Sequence, residues 1–185
     1  MGRKLQRMKG IAANQGVNVV NQDGPGTVGR GRTHINLMLV NTAVVSATNT
    51  DRRAIEALLT TEKLPTEDLP ASLERFWIVR EKDRIIGVIG LELHRPYGLL
   101  RSLAVLSDHR GLGIGNTLVR TVEEQAARLG LDSIYLLTET AKSYFEKRGY
   151  IIEERNNTPD VIRRSSEFSH VCPVSAAVMK KTINK

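Results

Sequence analysis

From residue 42 onward the apolar and polar positions change period several times, and each change marks an element. Thr42 to Thr48 (TAVVSAT) is β-branched and predicts a strand. Asn49 or Thr50 can cap a helix over Asp51–Thr60, where Ile55, Leu58 and Leu59 fall at i, i+3 and i+4. Leu64 to Pro70 reads as a loop with room for a second short helix. Phe76–Arg80 and Arg84–His94 predict two antiparallel strands about the polar turn Glu81-Lys82-Asp83. Pro96-Tyr97-Gly98 predicts a turn, and Leu99–Leu106 the next strand. A helix over Asn116–Leu129 presents Leu118, Val119, Val122 and Ala126 on one face and stops at Gly130. Ser133–Leu137 reads as a buried strand. Thr138 or Thr140 opens a helix over Ala141–Lys147 that ends at Gly149. Tyr150–Glu153 is a strand, 155–170 a polar insert with room for a helical turn, and Ser175–Lys181 the last strand. The order β-α-(α)-β-β-β-α-β-α-β-β predicts a mixed α+β fold, a mixed, largely antiparallel sheet with helices on its faces.

Upstream the patterning stops. Residues 1–36 are rich in Gly, Asn, Gln and Arg and bury little, so 1–37 is expected to be a disordered extension and 38–185 one domain. Met38, just before the first strand, is a candidate start of translation. A cleaved targeting peptide fits less well, because the stretch shows no amphipathic helix. Arg3, Lys4, Arg7, Lys9, Arg30 and Arg32 face Asp23 alone there, so five of the seven net positive charges belong to the extension. The folded part is close to neutral, which weighs against a nucleic-acid surface. The extension itself lacks aromatics for base stacking, and a solvated tail is the preferred reading over a nucleic-acid or acidic-membrane arm.

Composition narrows the class further. A hydrophobic content of 41% with 4% aromatics predicts a core of Leu, Ile, Val and Ala. No apolar run approaches membrane-spanning length, and no secretory segment follows the basic start. The single Cys172 excludes an internal disulfide and suits a reducing, cytoplasmic setting; it reads as a packed thiol. His34, His94, His109 and His170 lack ligand spacing, so no metal is expected.

The densest chemical signal is Leu99 to Leu118, LLRSLAVLSDHRGLGIGNTL. A strand, a polar turn, Arg110-Gly111-Leu112-Gly113-Ile114-Gly115 and a helix follow one another. Glycines there free backbone N–H groups, and the helix start adds the positive end of its dipole, which together make an anion cradle fit for a diphosphate. A dinucleotide-binding loop needs a third glycine where Leu118 or Asn116 stands, and a P-loop needs Gly-Lys-Ser/Thr, which is missing. Arg-x-x-Gly-x-Gly after an apolar strand resembles the acetyl-CoA loop of the GNAT superfamily of N-acetyltransferases. Tyr144-Phe145-Glu146-Lys147-Arg148-Gly149-Tyr150 and the element order extend the resemblance over about 42–183. Leu64-Pro65-Thr66-Glu67-Asp68, Leu100 to Val105, Tyr135-Leu136-Leu137-Thr138 and Glu167-Phe168-Ser169 followed by Cys172 to Ala176 resemble the GNAT subgroup linked to bacterial arsenic-resistance operons.

The resemblance implies an acetyl-CoA-dependent N-acetyltransferase, in which an amine attacks the thioester directly. Arg110, Gly111, Leu112, Gly113, Ile114, Gly115 and Asn116 would hold the diphosphate. The backbone of Leu103, Ala104 and Val105 would pair with the pantetheine arm like an added strand. A bulge would splay that strand from Ser133–Leu137; its position is not readable from the sequence. The pattern Phe-Tyr-Glu-Lys-x-Gly-Phe carries a tyrosine as acid to the leaving thiolate. Here Phe145 occupies that place and Tyr144 precedes it, about 100° away on a helix. Tyr144 on a rotated helix, Ser143 or a water then remains as the acid, or Tyr144 is a packed aromatic. Glu92, a carboxylate on an apolar strand, and Glu139, between a strand and a helix, are the candidate bases. Arg101, and more distantly Arg163 and Arg164, could bind an acceptor carboxylate. The implied acceptor is a small, amino-acid-like amine. A coenzyme-binding module without turnover and a protein N-terminal or lysine acetyltransferase stay open, as does a homodimer.

Overall fold

The computed structural model describes residues 43–171 and 173–183. The extension 1–37, Met38 and Cys172 lie outside the described residues. The first strand, β1 (Val44–Ser46), leads through a 3-10 turn into α1 (Arg52–Thr61). The N-cap of α1 is Asp51 and Thr48 caps the 3-10 turn before it, so neither Asn49 nor Thr50 is the cap. Asp51 accepts hydrogen bonds from the Thr48 backbone N–H at 2.8 Å and from its hydroxyl at 3.1 Å. No second helix forms in the following loop; its Pro65 and Pro70 interrupt a helical ladder.

β2 (Phe76–Glu81), β3 (Arg84–His94) and β4 (Tyr97–Val105) form an antiparallel meander. The turn between β3 and β4 is tighter than 96–98. Only Arg95 and Pro96 make it, and Tyr97 already pairs with His94. α2 (Ile114–Arg128) starts two residues before the expected Asn116, because Gly113 at φ +83° caps it and accepts from Thr117 N–H at 3.1 Å. β5 (Ser133–Thr138), α3 (Lys142–Glu146) and β6 (Ile151–Glu153) follow. The insert holds α4 (Asp160–Arg163) and a π turn over Glu167–Val171, and β7 (Ala177–Thr182) closes the chain.

The seven strands stand in the order β1-β2-β3-β4-β5-β7-β6. All neighbours are antiparallel except β4 and β5. This is the mixed, largely antiparallel sheet that the pattern predicts, with helices flanking it. The larger core joins Ile55, Leu58 and Leu59 of α1 and Leu118, Val119, Val122 and Ala126 of α2 to Ile78, Ile86, Ile89 and Leu91. A smaller cluster of Leu99, Tyr135, Leu137, Ile162, Ala176 and Val178 lies under α4.

Two irregularities on β4 shape the space beside it. Val88 pairs with Ala104 but Gly90 with Arg101, so Ser102 and Leu103 stand opposite the single residue Ile89. That is a β-bulge, and Ser102 takes φ +55° to make it. The bulge also breaks the simple alternation that relates Arg101 to Leu103. In addition, β4 pairs with β5 only from Tyr97 to Leu99; beyond Leu99 and Tyr135 the two strands part.

Candidate active site

The gap left where β4 leaves β5 opens into a cavity of about 670 Å³. Its walls come from three places. β4 contributes Leu103, Ala104 and Val105; the loop into α2 contributes Arg110, Gly111, Gly113, Ile114, Gly115 and Asn116; α3 and the turn before it contribute Thr140, Ala141 and Tyr144. The end of α1 adds Glu62 and Leu64. Leu112 is the one member of the expected loop set that is not in the wall. It is 55% exposed, because an apolar residue between two left-handed glycines is turned outward.

The loop geometry is that of an anion cradle. Gly111 and Gly113 have φ +79° and +83°, and a Cβ at either would meet nothing within 4 Å. The glycines are therefore required by backbone conformation and not by crowding, and the space above them is open. The first N–H groups of α2 face this space without intrahelical partners. Gly115 is different: a Cβ there would stand 2.7 Å from the Tyr144 hydroxyl. A diphosphate-bearing coenzyme fits this set of donors, and the buried Tyr144 Oη has no hydrogen-bond partner among the described residues.

Tyr144, and not Phe145, faces the cavity. Phe145 is 4% exposed and packs edge-on between Tyr144 and Tyr150. Of two adjacent aromatics, the one without a polar atom takes the core. Burial raises the Tyr144 pKa against the opposing charge of Arg148, so the phenol stays protonated at neutral pH and can donate. The Arg148 guanidinium lies over its ring, 3.3 Å from the centroid, and donates to Asn116 Oδ1 and to the Tyr144 carbonyl. Arg148 thus brings a cation to the helix start, a role invisible in the sequence. Glu62 is a second such residue. It accepts from the Ser107 N–H at 3.1 Å and pairs with Arg110, whose Nε also donates to the Val105 carbonyl at 3.2 Å. Arg110 is thereby braced at the mouth. His109 completes the basic side of the wall; its hydrogen bond to Asp108 outweighs desolvation and raises its pKa.

The other site candidates go elsewhere. Glu139 is exposed beside Thr140, 3.5 Å from the Ser175 hydroxyl and not in the wall. Arg163 is exposed on α4 and paired with Asp160. Arg101 is buried instead of open to an incoming carboxylate. It donates to Asp68 Oδ1 at 2.5 Å, to the Asp68 carbonyl at 3.2 Å and to Glu92, while Glu167 lies 3.9 Å from its Nε. Glu92 also meets His94 at 3.2 Å and reaches a separate cavity of about 280 Å³ with Ser72 and Arg75. Desolvation works to raise the Glu92 pKa, but hydrogen bonds from His94 and Arg101 hold it below the usual range, which makes it a weak base.

Known proteins share the family and the fold. Residues 45–150, more than half of the chain, match the model of the acetyltransferase (GNAT) family. An uncharacterized N-acetyltransferase of Chlorobaculum tepidum is 28% identical over 103 residues, 55% of this chain and 66% of that one. An amino-acid acetyltransferase of Pseudomonas paraeruginosa is 34% identical over 86 residues, 45% of this chain and 20% of the relative. The chain thus spans less than two thirds of the length of these curated relatives. Among solved structures, N-acetylglutamate synthase from Neisseria gonorrhoeae, complexed with coenzyme A and L-arginine, superposes with a TM-score of 0.67 at 17% identity, covering 78% of this chain and 34% of its own. A GNAT-family acetyltransferase from Staphylococcus aureus gives 0.62 at 19% identity, covering 77% of this chain and 99% of its own. At these identities the structural likeness is one of fold.

Proposed function

The chain belongs to the acetyltransferase (GNAT) family, and on that premise we propose that it transfers an acetyl group from acetyl-CoA to the amine of a small acceptor by direct attack. The observation that carries the reading is the open slot itself: left-handed Gly111 and Gly113 at the start of α2, facing a β4 that has separated from β5. The coenzyme supplies the activated thioester. Backbone N–H groups from Gly111 to Asn116 hold its diphosphate, with Arg148 and Arg110 adding charge at the helix start. The main chain of Leu103 to Val105 takes its extended arm as a further strand. Tyr144 donates a proton to the departing sulfur from within the wall.

An amino acid or an amino-acid-like toxin is the acceptor class we favour. The similarity to an amino-acid acetyltransferase, 34% identical over 86 residues, supports it. The test is a calorimetric titration of the purified chain with CoA, followed by free-thiol release from acetyl-CoA across a panel of amines. Saturable CoA binding with thiol release in at least one amine is expected. A titration without heat or saturation overturns the reading.

A further inference from the structure

The phenol in the slot wall is held in place without a hydrogen bond to its own hydroxyl. Tyr144 Oη is buried and has no hydrogen-bond partner among the described residues. Such a side chain keeps one orientation only where its neighbours impose it. Gly115, the second residue of α2, stands at the hydroxyl end. A Cβ there would lie 2.7 Å from Oη, but 3.6 Å from Cζ and 3.9 Å from Cε2 of the ring. The backbone of Gly115 is helical, and a helix favours alanine over glycine. The hydroxyl, and neither the ring nor the backbone, therefore requires this glycine.

Arg148 covers the face of the ring. Its guanidinium carbon is 3.3 Å from the centroid. Nη1 donates to the Tyr144 carbonyl and Nη2 to Asn116 Oδ1, so the guanidinium plane is tied to α3 at one edge and to the start of α2 at another. A flat cation fastened over a ring holds it by dispersion and by attraction to the π face. Gly115, Asn116, Tyr144 and Arg148 all line the slot.

Resting on the reading of Tyr144 as the donor to sulfur, we propose that Arg148 is a positioning residue: it presses the phenol onto Gly115 and keeps the hydroxyl at one place in the slot wall, from which it serves the departing thiolate. Both amino groups of Arg148 are engaged, so it offers the coenzyme charge alone, whereas it gives Tyr144 its place.

In the balanced step the ammonium gives one proton to water before attack and a second as the amide forms. The nitrogen lone pair makes the C–N bond at the thioester carbonyl carbon, and the C–S bond breaks. The Tyr144 O–H bond then breaks, an S–H bond forms, and the electron pair stays on oxygen until water returns a proton to it. While the phenolate exists, the Arg148 charge lies against it. Burial raises the Tyr144 pKa and Glu123 adds to the rise; Arg148 works against both.

Steady-state kinetics in acetyl-CoA with the most active amine, and calorimetry with CoA, test this on Arg148→Met, Arg148→Lys and Gly115→Ala, each made in wild type and in Tyr144→Phe. Arg148→Met should lose about 10-fold in kcat, no more than Tyr144→Phe loses, with CoA affinity held within about fivefold. Arg148→Lys keeps the charge without the flat face, and its kcat should lie between. In Tyr144→Phe the Arg148→Met change should alter kcat by less than about twofold, since the hydroxyl it positions is gone. Gly115→Ala should cut kcat about 10-fold in wild type and less than about twofold in Tyr144→Phe, where the nearest ring atom is 3.6 Å away. Where Arg148→Met folds poorly, Arg148→Lys and the Gly115→Ala pair carry the test. Equal kcat losses in both backgrounds, or a loss confined to KM or CoA affinity, overturn the proposal and leave the slot and acid readings standing. Tyr144→Phe at the wild-type rate, or CoA binding without thiol release from any amine, overturns it and leaves the slot standing; loss of CoA binding in wild type sinks the slot reading as well.

Discussion

The slot and the charged cluster stand two residues apart on β4, yet they are built in opposite ways. The slot is mostly main chain, drawn from one stretch between Leu103 and Asn116 with α3 closing it. Its chemistry is N–H groups, a helix start and two left-handed glycines, all fixed by local conformation. The cluster is all side chain. It gathers Asp68, Glu92, Arg101 and Glu167 from four segments, and every ion pair to Arg101 crosses from one segment to another. The first can be read from a short motif and tolerates change around it. The second exists only once the whole fold has closed, and each member depends on the others.

Substitution should separate the two. The largest effect falls on the cluster. Arg101→Met removes the buried guanidinium that pairs with Asp68 and Glu92 and should lower the unfolding free energy by about 3–5 kcal/mol, seen as a lower urea midpoint. CoA affinity of the folded fraction should hold within threefold, and a coupled loss of both would show that the regions are one unit. Gly113→Asp does the converse. It sets a carboxylate against the phosphates, and CoA affinity should fall at least 100-fold, about 2.7 kcal/mol, while circular dichroism is unchanged. Retained affinity would refute the cradle. Tyr144→Phe should slow transfer by about 10-fold or more with CoA binding intact; an equal rate removes the phenol from the reaction.

The smallest effect is on pH stability. The folded Glu167 pKa lies above the ordinary carboxyl value, so its contribution is complete below that value and is lost as pH rises through about 8. Asp51 and Glu92 act in the other sense, since their folded values are lowered, and their contributions fade as pH falls through the acid range. Differential scanning from pH 5 to 9 should show a decline of a few °C toward the alkaline end. Glu167→Gln should flatten it.

The same contrast decides what is legible in the sequence. Period and caps locate the strands and helices to within a residue or two, and the glycine spacing locates the cradle. The bulge is not readable, because Ser102 carries no sign that it adopts φ +55°. Glu62 and Arg148 are an acid after one helix and a base after another. Their place at the slot comes from contacts over 48 residues to Arg110 and over 32 to Asn116. Arg101 is legible as important, but its role is not. A strand arginine can project to solvent or turn inward, and only the arrival of Asp68 and Glu167 from distant loops fixes which. Tyr144 against Phe145 is decidable in principle, since burial favours the ring without a hydroxyl.

Ser102 is one amino acid more than β3 can match. Deleting that single codon would let Leu103 face Ile89 in a regular ladder and leave the outer half of β4 straight, without the bend that carries it away from β5. A sheet of this kind gains or loses its mouth by the smallest in-frame insertion or deletion a gene can suffer, with no new helix or strand required.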